Sequence, residues 1–129
     1  MVYGVNGTEV YAYWALISGL VKRITDRNER FEPEDIKQAI ESGHRQLWVS
    51  EQDGNIWAIA ITAIEESPHL KELVISGCAG EGDWSEMIKT IEDFGRQSGC
   101  QLVSVYGRPG WERKLPDYKK TRVVLEKTL

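Results

Sequence analysis

Only two cysteines and two histidines occur in 129 residues, and their placement excludes more than it suggests. Cys78 and Cys100 match no metal-ligand spacing, and His44 and His69 form no HxxxH-like pair, so no metal site is expected. A single disulfide is not what a chain of this length needs to fold, which leaves two buried free thiols as the expectation. No apolar run approaches the length of a membrane span, and residues 1–6 lack the basic and apolar regions of a secretory leader. A cytoplasmic protein without a membrane partner is therefore expected, and the Asn6-Gly7-Thr8 glycosylation pattern is empty in that setting. A basic excess is missing as well. The 16 Lys and Arg face 20 scattered Asp and Glu, a net charge of −4, so no broad positive face is available and nucleic acid is not an expected partner.

What is present is ordinary globular material, 41% hydrophobic and 28% charged, of a length that suits one domain over residues 1–129. Between residues 8 and 24, Val10, Tyr13, Trp14, Ile17, Leu20, Val21 and Ile24 recur at helical spacing, with Thr8 as the expected cap. Pro33 suits the first turn of a second helix, which carries Ile36, Ala39 and Ile40 inward and stops at Gly43. Residues 46–51 and 56–64, joined through Asp53-Gly54, read as a hairpin. Its second arm is apolar on both parities and belongs in the middle of a sheet. A third strand is expected over residues 70–76. Trp84, Met87, Ile88, Ile91 and Phe94 mark a helix, with Asp83 and Glu86 as a reciprocal cap and Gly99 past its end. A strand over residues 102–106 completes a strand, helix, strand unit whose natural form is a right-handed crossover between parallel strands. A short helical turn over 111–115 and an extended strand over 121–127 follow.

The most informative stretch is Gly77-Cys78-Ala79-Gly80-Glu81-Gly82, between the third strand and that helix. A glycine-rich turn entering a helix exposes unpaired N–H groups at the positive end of the helix dipole, a geometry that cradles anions. It is equally the form of a tight connection that needs glycine for positive φ. It lacks the Lys-Ser/Thr of a Walker A loop, and Ser85 stands where a dinucleotide fingerprint needs its third glycine.

In order of elements over nearly the whole chain, and in Gly80 and Gly82 at this junction, the sequence resembles the GNAT superfamily of acyl-coenzyme A dependent N-acetyltransferases. Their signature there is Gln or Arg, two residues, Gly, one residue, Gly or Ala. It is similar in style to small GNAT-like proteins of tailed phages, through Trp14, Leu47-Trp48-Val49, Gly99-Cys100 and the Gly107-Arg108-Pro109-Gly110-Trp111 turn. The resemblance implies an α/β fold with a mixed, partly parallel twisted sheet and helices on both faces. It implies acetyl-CoA as cofactor and direct attack of an amine, on a small molecule or a protein, upon the thioester. The pyrophosphate would meet the backbone of Gly77, Cys78, Ala79, Gly80, Glu81, Gly82 and Asp83, with Arg108 nearby to offset charge. Val74, Ile75 and Ser76 would be strand partners of the pantetheine arm.

Three departures stand against that pattern. Gly77 replaces the polar or basic side chain of the motif, and Glu81 and Asp83 bring negative charge to a loop meant for phosphate, although Asp83 also reads as a helix cap. The usual C-terminal tyrosine is displaced, leaving Tyr118 as candidate acid or packing residue and Glu72 as candidate base or solvent-facing carboxylate. Trp111, flanked by arginines, reads either as a stacking surface or as a corner plug. The alternative to an enzyme is a non-catalytic GNAT-fold protein with a vestigial groove, partnered with phage virion proteins and located in a host cytoplasm or a virion.

Overall fold

The computed structural model describes all residues, Met1–Leu129. The chain runs β1 (Val2–Val5), a 3-10 turn (Gly7–Glu9), α1 (Val10–Thr25), α2 (Pro33–Glu41), β2 (Gln46–Gln52), β3 (Asn55–Ser67), β4 (Leu70–Gly80), α3 (Ser85–Gln97), β5 (Leu102–Val105) and α4 (Trp111–Lys114). The five strands form one sheet in sequence order, antiparallel from β1 to β4 and parallel between β4 and β5. The parallel pair follows from the α3 crossover, which returns the chain in the direction it left.

Local chemistry opens the 3-10 turn that leads into α1, and it opens α2. The Asn6 side chain, not Thr8, accepts the first exposed amide, from Thr8 N–H at 3.0 Å. At α2, Glu32 and Asp35 form a capping box with Pro33 in the first turn.

The sheet has two cores because β3 is covered on both faces. Ile59 and Ile61 join Leu47, Val49, Ile17, Val21 and Ile40 under α1 and α2, whereas Ala58 and Ala60 join Trp48, Leu73, Ile75, Met87 and Ile91 under α3. Alternation places neighbours on opposite faces, and the small alanines leave room for α3 and the Trp48 ring. Ile59 and Ile61 are almost completely buried, and each contributes about 2 kcal/mol by burial.

Three boundaries differ from expectation. β1 has no counterpart in the sequence reading; its pairing with β2, Val2↔Ser50 to Val5↔Leu47, makes it a strand, and Gly4 lies under the Trp48 ring. β4 runs to Gly80, not Ser76, because residues 77–80 pair with Ile61 to Ala58 of β3. Residues 121–127 form no strand, since nothing pairs with them.

Candidate active site

Where β4 meets β5, the sheet opens. The two strands pair from Glu72↔Leu102 to Ile75↔Val105, and the last bond runs from Tyr106 N–H to the Ile75 carbonyl, 3.1 Å. Beyond it a bulge shifts the β3–β4 register by one residue at Ser76, and β4 continues along β3 alone while the β5 side turns off through Gly107 to Gly110. Ser76 is tied down at the bulge: its hydroxyl donates to the Ile61 carbonyl at 3.3 Å and accepts from the Arg45 guanidinium at 3.0 Å. Glu81 N–H donates to the Trp57 carbonyl, 3.0 Å. The alternation of an antiparallel ladder then bonds Ala79 and Gly77 to β3 and points the amides and carbonyls of Cys78 and Gly80 into the opening.

The connection to α3 is short, residues 81–84. Gly82 has φ +111° and nothing within 4 Å of a would-be Cβ. The amides of Gly82, Asp83, Trp84, Glu86 and Met87 make no hydrogen bond within the protein, so they converge unsatisfied at the positive end of the α3 dipole. Against them stands Asp83. It accepts the hydroxyl and the amide of Ser85, and these bonds hold its carboxyl below the usual range. A cavity of about 420 Å³ opens here, lined by residues 82–85, Ile88, Glu92 and 114–118, with Lys114 as its cation.

The sequence-derived candidates fall in different places. Val74 and Ile75 are buried and their β5-facing edge is already paired with Ser104 and Val105, so the unpaired backbone begins one step later, past Ser76. Gly77 faces α1, where a Cβ would lie 2.6 Å from Ile24 Cγ2. The motif's missing side chain thus has a packing cause. Ala79 belongs to the core under α1 and α2, and Gly80 is pressed against β3. Cys78 is partly rather than fully buried, packs on the α3 side, and is pushed up to about 12 by desolvation against the opposing pull of Lys114. Cys78 is therefore expected to resist alkylation by iodoacetamide at pH 8 until the protein is unfolded in urea, as read by mass spectrometry of labelled peptides. Rapid modification of native Cys78 would show that the thiol is open to solvent. Glu81 and Arg108 are exposed.

The two catalytic candidates are not brought together. Tyr118 packs on the α3 side and lines the cavity; its hydroxyl donates to Glu92 at 2.7 Å, and burial together with that carboxylate raises its pKa, keeping it protonated at neutral pH. Glu72 alternates with Leu73 and so faces the opposite side of the sheet, eight positions and about 26 Å along the strand from Gly80. There it accepts from Ser104 Oγ at 2.8 Å and lies 3.5 Å from the Arg122 guanidinium. Trp111 fills a corner, edge-on to Trp84 at 5.4 Å between centroids, with the Lys114 ammonium over its ring. Sequence reasoning missed Glu92, whose spacing from Ser85 and Ile88 on one face of α3 was the available signal.

No family model matches the chain, and no curated protein sequence matches it. Solved structures do. An aminoglycoside acetyltransferase from an uncultured soil metagenomic sample, in complex with sisomicin, superposes with a TM-score of 0.73 at 14% identity over 100% of this chain and 95% of the other. A predicted acetyltransferase with acetyl-CoA from Clostridium acetobutylicum gives 0.72 at 12% identity, over 99% and 95%. The aminoglycoside 6'-N-acetyltransferase AAC(6')-Ih of Acinetobacter baumannii gives 0.66 at 14%, over 100% and 97%. The chain has the GNAT acetyltransferase fold, a five-stranded mixed sheet with helices on both faces. The phage-type likeness has no support among these neighbours.

Proposed function

We propose that the protein is an acyl-coenzyme A dependent N-acyltransferase that uses acetyl-CoA and acts on an amine of a small molecule or a protein. The observation that carries this reading is the wedge between β4 and β5, continuous with the free amides of residues 82–84, 86 and 87. Those amides and the open Gly82 fit a pyrophosphate, and Lys114 at the cavity wall adds a positive charge that offsets Asp83. The outward backbone of Cys78 and Gly80 fits an extended amide-bearing arm by the logic of strand addition. Bound acetyl-CoA would supply a thioester carbonyl to the attacking amine. The chain's own part is to orient the amine, take its proton and exclude water. On this reading Tyr118, protonated beside the cavity, would release its bond to Glu92 to give a proton to the leaving thiolate, and Glu72, across the sheet, would take no part.

A second reading, a non-catalytic GNAT-fold protein that binds partners such as virion components, draws on two observations. Asp83 is a fixed negative charge at the turn, and the Tyr118 hydroxyl is committed to Glu92.

Thermal unfolding with acetyl-CoA separates the two. On the enzyme reading Tm rises steadily as the cofactor exceeds its Kd, because ligand binds only the folded state. Gly82→Glu, which sets a carboxylate among the free amides, is expected to weaken that binding about tenfold or more. Circular dichroism and ligand-free Tm of the variant check that the fold survives. No shift at millimolar cofactor with the native chain would leave the binding-protein reading in possession.

A further inference from the structure

Two carboxylates stand side by side on the face of the sheet that carries α1. Glu65 of β3 is directly opposite Glu72 of β4, and directly opposed residues of an antiparallel pair share a face. Like charges so placed repel, and the next pair along, Glu66↔Lys71, shows the ordinary remedy, an ion pair at 3.8 Å. For Glu72, whose side chain is only 13% exposed, the basic partner comes from the far end of the chain. The Arg122 guanidinium lies 3.5 Å from the Glu72 carboxylate, 3.5 Å from Ser104 Oγ and 5.6 Å from the centre of the Tyr106 ring. A carboxylate, a hydroxyl and an aromatic face are the groups that hold an organic cation in place of its water. Glu65 forms no ion pair, so one positive charge answers two negative ones.

The place of this site in the fold matters as much as its chemistry. Tyr106 donates the last hydrogen bond before the strands part, so its ring marks the apex of the wedge. Four residues beyond Arg122, Glu126 meets Arg30 at 3.5 Å in the connection between α1 and α2. The adjoining Phe31 carries the Arg45 guanidinium over its ring at 4.9 Å, and Arg45 in turn donates to Ser76 at the bulge. Residues 122–126 therefore run from Tyr106 toward the surroundings of Ser76, across the α1 side of the apex. Little holds them there. Residues 119–129 make no backbone hydrogen bond, and the side chains of Arg122 and Glu126 are 56% and 66% exposed, so both ion pairs are weak.

We propose that residues 119–129 form a strap that closes the α1 side of the wedge, with Arg122 as an internal stand-in for a cationic group of the acceptor. The inference rests on the acyltransfer reading in one respect: a carrier seated at the cavity on the α3 side leaves the α1 side for the incoming amine. An ammonium or guanidinium group on the acceptor displaces Arg122 from Glu72, and the strap lifts from the apex as that group binds. Opening is thus tied to an acceptor that carries positive charge beyond its reacting amine, and a neutral molecule meets a closed strap.

The test follows the backbone amides of the full-length, nitrogen-15 labelled chain by NMR while diaminobutane is added at constant ionic strength, with butanediol as the uncharged control. In the native chain the diamine should move the signals of residues 119–127 saturably toward those of an unattached segment, and butanediol should leave them in place. Arg122→Ala, at an exposed side chain, is expected to free the strap and to tighten diamine binding about threefold or more, because the site is no longer occupied from within. Glu72→Gln should also free the strap but weaken diamine binding about tenfold or more. Opposite changes in affinity from two variants that both free the strap are not what a merely structural ion pair would give, and circular dichroism checks that each variant is folded. Signals unmoved at tens of millimolar diamine overturn the proposal, as does an Arg122→Ala chain that binds the diamine no better than the native one. None of these readouts uses acetyl-CoA. A strap that opens to diamine in a protein indifferent to acetyl-CoA removes the acyltransfer reading and leaves the cation site, and the reverse result removes the strap alone.

Discussion

Replacing Gly80 by alanine is expected to cost about 3 kcal/mol or more, or to prevent soluble folding. Gly80 has φ +119°, and a Cβ built there lies 2.2 Å from the Trp57 carbonyl oxygen, 2.5 Å from Ala58 Cα and 2.9 Å from Ala58 Cβ. The obstacle is mostly the backbone of β3, which cannot rotate aside as a side chain would. Moving it would disturb Ala58↔Gly80 and Ile59↔Ala79, the pairs that hold the far half of β4. Gly82→Ala is the matched control, because Gly82 has a similar φ, +111°, and open space around it. That variant bears conformational strain alone, about 1–2 kcal/mol. Urea midpoints of the two variants measure the difference. A loss near 1 kcal/mol for both would mean that β3 and β4 relax apart at little cost.

The second large effect concerns Gly77. Gly77→Ala is expected to destabilise by about 1–3 kcal/mol, because its Cβ would sit 2.6 Å from Ile24 Cγ2, too close for either atom to hold its place. Ile24→Ala alone loses packing on the core under α1 and α2, by about 1–3 kcal/mol for a partly buried isoleucine. In the double variant the new methyl occupies space that Ile24 vacates, so the sum should fall short of additivity by about 1 kcal/mol or more. Strict additivity would place the two residues out of contact. The result bears on function, since it asks whether the residue unlike the acetyltransferase signature reflects helix approach or loss of a ligand contact.

These two glycines also show how far the sequence could be read. In local terms, Gly77 and Gly80 punctuate a strand and announce a turn, and only their pairing with Ile61 and Ala58 makes them strand. β1 escaped for the same reason: four residues with a central glycine have no periodicity of their own, and β2 decides their conformation. The long periodic segments α1 and α3, the hairpin of β2 and β3, and the parallel crossover were legible because burial on one or both faces stamps its period on the sequence. Residues 121–127 are strand formers without a partner in the chain, and propensity cannot supply one.

Of the candidate site, the turn and Tyr118 could be found because glycine and helix-start chemistry are written locally. That Glu72 faces away could not, since its side depends on counting from a bulge that leaves no mark in composition. The same held for Lys114 beside Cys78, which residues 36 apart in the chain meet only through the fold.

Ser76 makes β4 change step halfway. Before it odd-numbered side chains look toward α3, as Leu73 and Ile75 do, and after it the odd-numbered Ala79 looks toward α1 and α2. A ruler of alternating hydrophobicity laid along this strand therefore misplaces everything beyond residue 76 by one notch. Distant relatives should be matched to this chain with the kink as origin, counting outward in both directions, or their ligand-facing and helix-facing positions will be exchanged.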